Sequence, residues 1–203
     1  MYVLSEQSAE VKAMSKNIIL CGVGGQGTVL ASKLLSAASM AKGLPVKSAE
    51  TIGMAQRGGS VTSHIRIGEG AYSPLIPMGK ADVIIAFEPA EAVRMLPYLK
   101  KDGVIIVNSR PVMPVTAALG GSDYNGTEMT EYLSKKVGSL TVVDSDKACE
   151  ELGSSKIINV LLLGAAISRC DIGLSKEDIR SAIGRIVPEK FHSLNFRALD
   201  YLG

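Results

Sequence analysis

Hydrophobic and polar positions alternate between two rhythms along the chain. Short apolar runs at residues 17–21 (NIILC), 82–87 (DVIIAF), 104–107 (VIIV) and 140–143 (LTVV) read as strands, the near-continuous ones as buried parallel strands. Pro45–Ala49 reads as a further strand. Between them the apolar period lengthens to that of a helix. Thr28 opens one with Leu30, Leu34, Ala37 and Ala41 on a face, and Gly43 stands where a C-terminal cap belongs. Residues 89–100 form a second helix with Pro89 at its first position. Residues 155–169 form a third, apolar enough to be buried. Ser175 caps a last helix with Glu177 and Asp178 in its first turn and Ile179, Ile183 and Ile186 on one face. Residues 61–67 alternate strictly, with Thr62, His64 and Arg66 on the polar side, and Gly68-Glu69-Gly70 then reads as a hairpin turn.

Strands alternating with helices predict an α/β fold: a single three-layer Rossmann-like domain, its sheet mostly parallel with an added antiparallel hairpin. Residues 1–15 read as an N-terminal extension and 16–203 as the domain. Residues 108–126, rich in proline and glycine, are the candidate for a long functional or interface loop.

Composition changes this picture by exclusion. A net charge of +2 is too small to point to nucleic acid, and no apolar run approaches the ~20 residues of a bilayer span. The first residues lack the pattern of a secretory signal. The cysteines, Cys21, Cys149 and Cys170, are scattered singly, which argues against a zinc or iron–sulfur site held by this chain alone and fits a reducing cytoplasm. Only two histidines leave few candidates for acid–base work.

The candidate chemistry sits in two glycine-rich turns. Residues 21–28 read CGVGGQGT. Gly22, Gly24 and Gly27 spell G-x-G-x-x-G between a strand and a helix, with Gly25 and Gln26 making it G-G-Q-G and Thr28 opening the helix. Glycines let the backbone approach a ligand, and free N–H groups at the helix start favour an anion. A dinucleotide site also wants an acidic residue near the end of the second strand, and Glu50 is available. The alternative is that the glycines only let helix and sheet pack closely. The Gln26 carboxamide reads as a hydrogen-bonding tool for a ligand or neighbour. The second turn, Gly53–Gly59, contains Gln56 and Arg57 before Gly58 and Gly59, and a guanidinium there suits a carboxylate or phosphate. If both turns follow parallel strands, they lie at the same sheet edge.

GVGGQG, ETIGMAQRGGSVTSHIRIG, SPLIPMGKADVIIAFEPAEAVRML and GVIIVNSRPVMP together resemble the gamma-type subunit of 2-oxoacid:ferredoxin oxidoreductases, from about residue 16 to the C-terminal NFRALDYLG. The G-M-A-Q-R-G-G form resembles the indolepyruvate branch, the beta subunit of indolepyruvate ferredoxin oxidoreductase. The resemblance implies a subunit inactive alone, in a cytoplasmic complex that converts a 2-oxoacid to an acyl-CoA and passes electrons to ferredoxin. It implies that thiamine diphosphate, Mg and iron–sulfur clusters are held by a large partner subunit, that coenzyme A is a substrate of the complex, and that this chain completes the active site or the coenzyme A path. The residues it carries over are Gly24, Gly25, Gln26, Gly27, Glu50, Gln56, Arg57, Gly58 and Gly59. Two other readings stay open on the residues alone: a stand-alone NAD(P)-dependent enzyme, and a coenzyme A- or nucleotide-binding module with no reaction.

Overall fold

A computed structural model describes residues 15–52, 58–113 and 124–202. The strands are β1 (Lys16–Val23), β2 (Val46–Ile52), β3 (Ser60–Ile67), β4 (Ala81–Ala86), β5 (Leu99–Asn108) and β6 (Ser139–Val143). They form one sheet in the order β2-β3-β1-β4-β5-β6. β1, β4, β5 and β6 are parallel neighbours, and β3 runs antiparallel to both β1 and β2. The expected three-layer, mostly parallel sheet with an antiparallel hairpin is therefore present.

The apolar runs are continuous because both faces of the sheet are covered. Ile18, Leu20, Val83, Ile85 and Ile106 face one core; Ile19, Cys21, Ile84, Ala86, Ile105 and Val107 face the other. The first core is closed by α1 (Thr28–Ala41), α4 (Ser145–Leu152), α5 (Ile158–Arg169), α6 (Lys176–Ile186) and α7 (His192–Asp200). The second is closed by α2 (Pro89–Met95) and α3 (Thr127–Lys136). α5 is apolar on all sides because it lies between the sheet and α7. A Cβ on Gly164 would stand 2.2 Å from the Leu199 carbonyl oxygen, so only glycine allows that approach. Among the described residues no helix is long and apolar enough to cross a membrane.

Several expectations are corrected. The hairpin is β2–β3, joined across residues 53–59, and does not turn at Gly68–Gly70. β3 already has a strand on each side, so no partner place remains for a strand that doubles back after residue 70. His64, which its place in the alternation put on the polar surface, is 8% exposed: the Tyr98 ring packs edge-on against it and the Ile76 N–H bonds its Nδ1. The helix expected over 89–100 stops at Met95 and gives way to one 3-10 turn, Leu96–Tyr98, because Pro97 has no N–H to continue the ladder. The strand read at 104–107 begins at Leu99. α3, α4 and α7 were not foreseen.

Candidate functional site

β1 and β4 are neighbours, yet the chain leaves β1 toward one side of the sheet and β4 toward the other. Such a switch point opens a crevice at the carboxyl ends of the strands. The first glycine turn sits there. Gly25 (φ +100°) and Gly27 (φ +83°) adopt left-handed backbone that other residues resist. Gly27 N-caps α1 without a side-chain hydrogen bond, so the first-turn N–H groups of a 14-residue helix have no partner within the helix.

Gln26 is turned inward. Its Oε1 accepts from the Val23 N–H at 2.8 Å and its Nε2 donates to the Phe87 carbonyl at 2.9 Å. The carboxamide therefore joins the ends of β1 and β4, where diverging strands leave backbone groups to be satisfied; it is not the outward-facing tool its position suggested. Gly22 makes room for it, since a Cβ there would lie 2.6 Å from Gln26 Oε1 and 2.8 Å from Phe87 Cβ. Thr28 is 2% exposed and its Oγ1 has no hydrogen-bond partner among the described residues.

The two glycine turns do meet at one edge: the Gly24 N–H donates to the Gly59 carbonyl at 2.8 Å. Gly58 has φ +73°. Gln56 and Arg57 lie outside the described residues. Glu50 does not join the turn. It pairs with Ser63 of β3, which pairs with Leu20 of β1, so it stands two strand spacings, about 10 Å, from the first strand. It is exposed and lines a shallow depression along α1 with Lys33 and Ser36. The inserted β3 occupies the place a dinucleotide fold reserves for the strand bearing the ribose acceptor.

A cleft of about 550 Å³ opens beside the first turn, lined by Gly25, Gln26, Gly27, Leu30, Asn108, Arg110, Val112, Ser155, Lys156, Ile158 and Asn159. The start of α5 faces it as well as the start of α1. α5 is entered through a 3-10 turn, Ser155–Ile157, which Ser154 caps by accepting from the Lys156 N–H at 3.2 Å, and Asn159 uses its Oδ1 on the Val160 N–H at 2.9 Å. Asn159 also stands against Gly27: a Cβ on Gly27 would come within 3.0 Å of its Nδ2. Two helix N-termini thus converge on one space, flanked by the Arg110 guanidinium and the Lys156 ammonium. Lys156 makes no ion pair among the described residues, and Arg110 pairs only with the exposed Asp146 at 3.2 Å. Asn108, fully buried at the end of β5, donates to the Phe87 carbonyl at 3.4 Å and lines the same cleft. This arrangement favours a multiply charged anion of the phosphate type. Asn108 and Arg110 lie in the GVIIVNSRPVMP stretch and at the start of the 108–126 loop, though neither is singled out there, and Lys156 is marked only by its place before an apolar helix.

On the opposite face Glu88, 2% exposed, caps α2, accepting from the Glu91 N–H at 3.0 Å. Burial pushes the Glu91 carboxyl up; the Ser60 hydrogen bond and the Arg94 charge oppose the shift and the Glu88 charge adds to it. Cys21 is wholly buried, and that burial holds its thiol protonated.

Fold and cleft define an α/β domain with donors and cations gathered at one sheet edge, and comparison with known proteins narrows the class. The chain belongs to the pyruvate ferredoxin/flavodoxin oxidoreductase family, whose model matches residues 17–201. It is 40% identical over 186 residues to indolepyruvate oxidoreductase subunit IorB of Thermococcus kodakarensis, covering 91% of this chain and 92% of that protein. It is 30% identical over 165 residues to the pyruvate/ketoisovalerate oxidoreductases common subunit gamma of the same organism, covering 80% and 81%. Its fold matches the crystal structure of pyruvate oxidoreductase subunit PORC from Thermotoga maritima with a TM-score of 0.67 and 25% identity, over 92% of this chain and 94% of that one. The chain is thus a subunit of an oxidoreductase complex.

Proposed function

We propose that this chain is the smaller subunit of an indolepyruvate-type 2-oxoacid:ferredoxin oxidoreductase. The observation that carries the choice of branch is the 40% identity to the indolepyruvate subunit across nine-tenths of the chain, against 30% to the pyruvate/ketoisovalerate subunit. The complex oxidatively decarboxylates an arylpyruvate to its acyl-CoA and delivers the electrons to ferredoxin. Thiamine diphosphate, Mg and the iron–sulfur clusters belong to the large partner subunit. The cysteines stand singly on β1, on α4 and after α5.

The cleft at the two helix N-termini is the part we assign to the coenzyme A path. The donors suit phosphate groups: first-turn N–H groups of α1 and α5, Arg110 and Lys156. Gly25 has open space where a side chain would stand, which leaves its backbone accessible. Coenzyme A supplies the thiol that receives the acyl group; this chain binds, orients and shields. Arg57, Gln56 and the Gly58-Gly59 turn are assigned to the contact with the partner, at the same edge. The displaced Glu50 weighs against a stand-alone dinucleotide enzyme.

The test is reconstitution. The chain alone is inactive, and arylpyruvate- and coenzyme A-dependent reduction of ferredoxin or a dye returns only on mixing with the large subunit. In that complex Arg57→Ala leaves the fold intact but lowers activity or assembly by well over tenfold, because loss of a buried charged hydrogen bond costs on the order of 2–5 kcal/mol. Arg57→Lys rescues only in part. Unchanged rate and assembly for Arg57→Ala would remove residues 56–59 from the site.

A further inference from the structure

Two of the three segments that line the cleft, the first glycine turn and the end of β5, are tied to one stretch of five residues, 87–91. The Phe87 N–H donates to the Cys21 carbonyl at 2.7 Å, and its carbonyl accepts from Gln26 and from Asn108. The Glu88 carboxylate accepts from the Tyr124 hydroxyl, whose oxygen in turn accepts from the Ala90 N–H at 3.1 Å. Tyr124 is the first described residue after 114–123. Glu91 accepts from the Ser60 hydroxyl at 2.8 Å, and Ser60 follows Gly58-Gly59. Gly126 closes on the same place: a Cβ there would stand 3.1 Å from Pro89 Cγ and 3.3 Å from Pro111 Cβ.

Capping alone does not explain this. A helix N-cap is served best by Ser, Thr, Asp or Asn, whose short side chains reach only the first-turn N–H groups. Glutamate at position 88 spends one oxygen on the cap and carries the other to a phenol 36 residues away. Glu91 could serve the helix dipole from the surface, yet its carboxylate is held at Ser60. Two carboxylates have been brought into a desolvated place, where each must be hydrogen-bonded to be tolerated; Glu91 also pairs with Arg94 on its own helix, and the remaining side-chain partners are the ends of the two long loops.

We propose that Glu88 and Glu91 are positioning residues: Glu91 holds Ser60 beside the glycine turns, and Glu88 holds Tyr124 and, through the approach of Gly126 to Pro111, the 108–113 segment that carries Asn108 and Arg110 into the cleft. This rests on the reading of the cleft as the coenzyme A path. Tyr124 is the lever for testing it, because Tyr124→Phe removes one hydroxyl and leaves the packing of the ring. Chymotrypsin accepts phenylalanine as it accepts tyrosine, so the cleavage site is kept.

In the full chain, Tyr124→Phe is expected to be cut after residue 124 roughly tenfold faster, with global unfolding little changed, the tenfold corresponding to ~1.4 kcal/mol of lost local stability. In the reconstituted complex the same variant raises the KM for coenzyme A several-fold while kcat stays within about twofold. Glu88→Ala moves both readouts further. Glu88→Gln, which keeps an acceptor for the cap and offers an amide to the phenol, retains most of both. Cutting at the unaltered rate, or faster cutting with an unaltered KM, overturns the proposal. Absence of coenzyme A dependence with the unaltered chain overturns the reading of the cleft and with it the role given to the walls, while the cutting rate still shows whether the tether exists.

Discussion

The two ends of the sheet carry clefts of nearly the same size and opposite character. At the carboxyl end the cleft of about 550 Å³ holds Arg110 and Lys156. At the amino end a cleft of about 520 Å³ holds Lys16, Lys80, Lys100 and Lys101, a richer set of cations. Counting positive charges would choose the amino end. The ion pairs reverse that choice. Lys16 faces Asp171 at 2.8 Å, Lys100 faces Asp82, and Asp102 lines the same space. Helix direction adds to the reversal. In a parallel sheet the crossover helices begin where the strands end, so the carboxyl edge receives helix N-termini and the amino edge receives C-termini. An anion site is made here by uncompensated donors at helix N-termini, whereas the amino edge lacks those and has two of its four lysines, Lys16 and Lys100, paired with aspartates.

The largest effect should come from Gly27→Ala, with Gly79→Ala as its counterpart at the amino end. Both glycines have positive φ, +83° and +68°, so both substitutions incur backbone strain of about 1–2 kcal/mol. A Cβ at Gly79 enters open space, whereas one at Gly27 meets Asn159 at 3.0 Å. Thermal melts should fall for both, and coenzyme A-dependent turnover of the reconstituted complex should be lost only for Gly27→Ala. Equal turnover in the two variants would break the assignment of the cleft.

Charge reversal is the next contrast. Lys156→Glu and Arg110→Glu should each raise the KM for coenzyme A by about tenfold or more, in keeping with charge-assisted phosphate contacts. Lys101→Glu should leave it unchanged. Titration calorimetry with NAD(H) should show no micromolar binding to the isolated chain, because Glu50 stands two strands from the glycine turn. Micromolar affinity would restore the dehydrogenase reading.

The two ends should also part with pH. The hydrogen bond from Lys16 is the largest cause holding the Asp171 carboxyl below its usual range, followed by the bond from the Gly173 N–H. A depressed carboxyl means that the unfolded chain binds the proton more readily. The stability from this group is therefore present above the ordinary aspartate pKa, about 3.9, and lost as pH falls below it. His64 acts higher up. Its Nδ1 accepts from the Ile76 N–H at 3.2 Å, and burial lowers its pKa. The unfolded chain again binds the proton first, so stability declines as pH drops below about 6.5, the ordinary histidine value. Melts of His64→Gln should be flatter between pH 6.5 and 5 than those of the unaltered chain, and melts of Asp171→Asn should differ from them only at the acid extreme. An unaltered slope in His64→Gln would show that the ring titrates as an exposed one.

Much of this was legible in residue order, and the rest failed for definite reasons. β1, β4, β5 and the glycine turn were readable because double burial writes itself as an unbroken apolar run and a tight turn as glycine. α3 was missed because only Leu133 of its ten residues is buried, which leaves no periodic face to read. Gln26 was placed at the right turn with the wrong direction, since its partners Val23 and Phe87 are set by how β1 and β4 diverge. Glu50 has the spacing of a ribose acceptor, but spacing cannot reveal that β3 is inserted between the first two strands. Arg110 and Lys156 come from separate loops far from residue 27 and meet it only through the sheet order.

The smallest effect is the finest test of the comparison. Among the described residues Arg110 has one competitor for its guanidinium, Asp146 at 3.2 Å, and the two side chains are well exposed, 48% and 66%. Pairs of this kind are worth about 0–1 kcal/mol, so Asp146 should hold Arg110 only weakly away from an incoming anion. Asp146 lies in the first turn of α4, where Asp144 already caps the helix by accepting from the Asp146 and Lys147 N–H groups. Asp146→Asn keeps those backbone bonds and removes one negative charge near the cleft. The KM for coenzyme A should fall, by at most about fivefold on that energy scale, with kcat unchanged. The matching substitution at the amino end, Asp171→Asn, releases Lys16 in the same way and should leave the KM where it was. The difference should shrink as salt is raised, because exposed charges are screened within about 8 Å at physiological ionic strength. A KM that rises in Asp146→Asn would mean that the ion pair orients Arg110 for its work, and an unchanged KM at low salt would mean that Lys156 and the helix N-termini hold the anion without it.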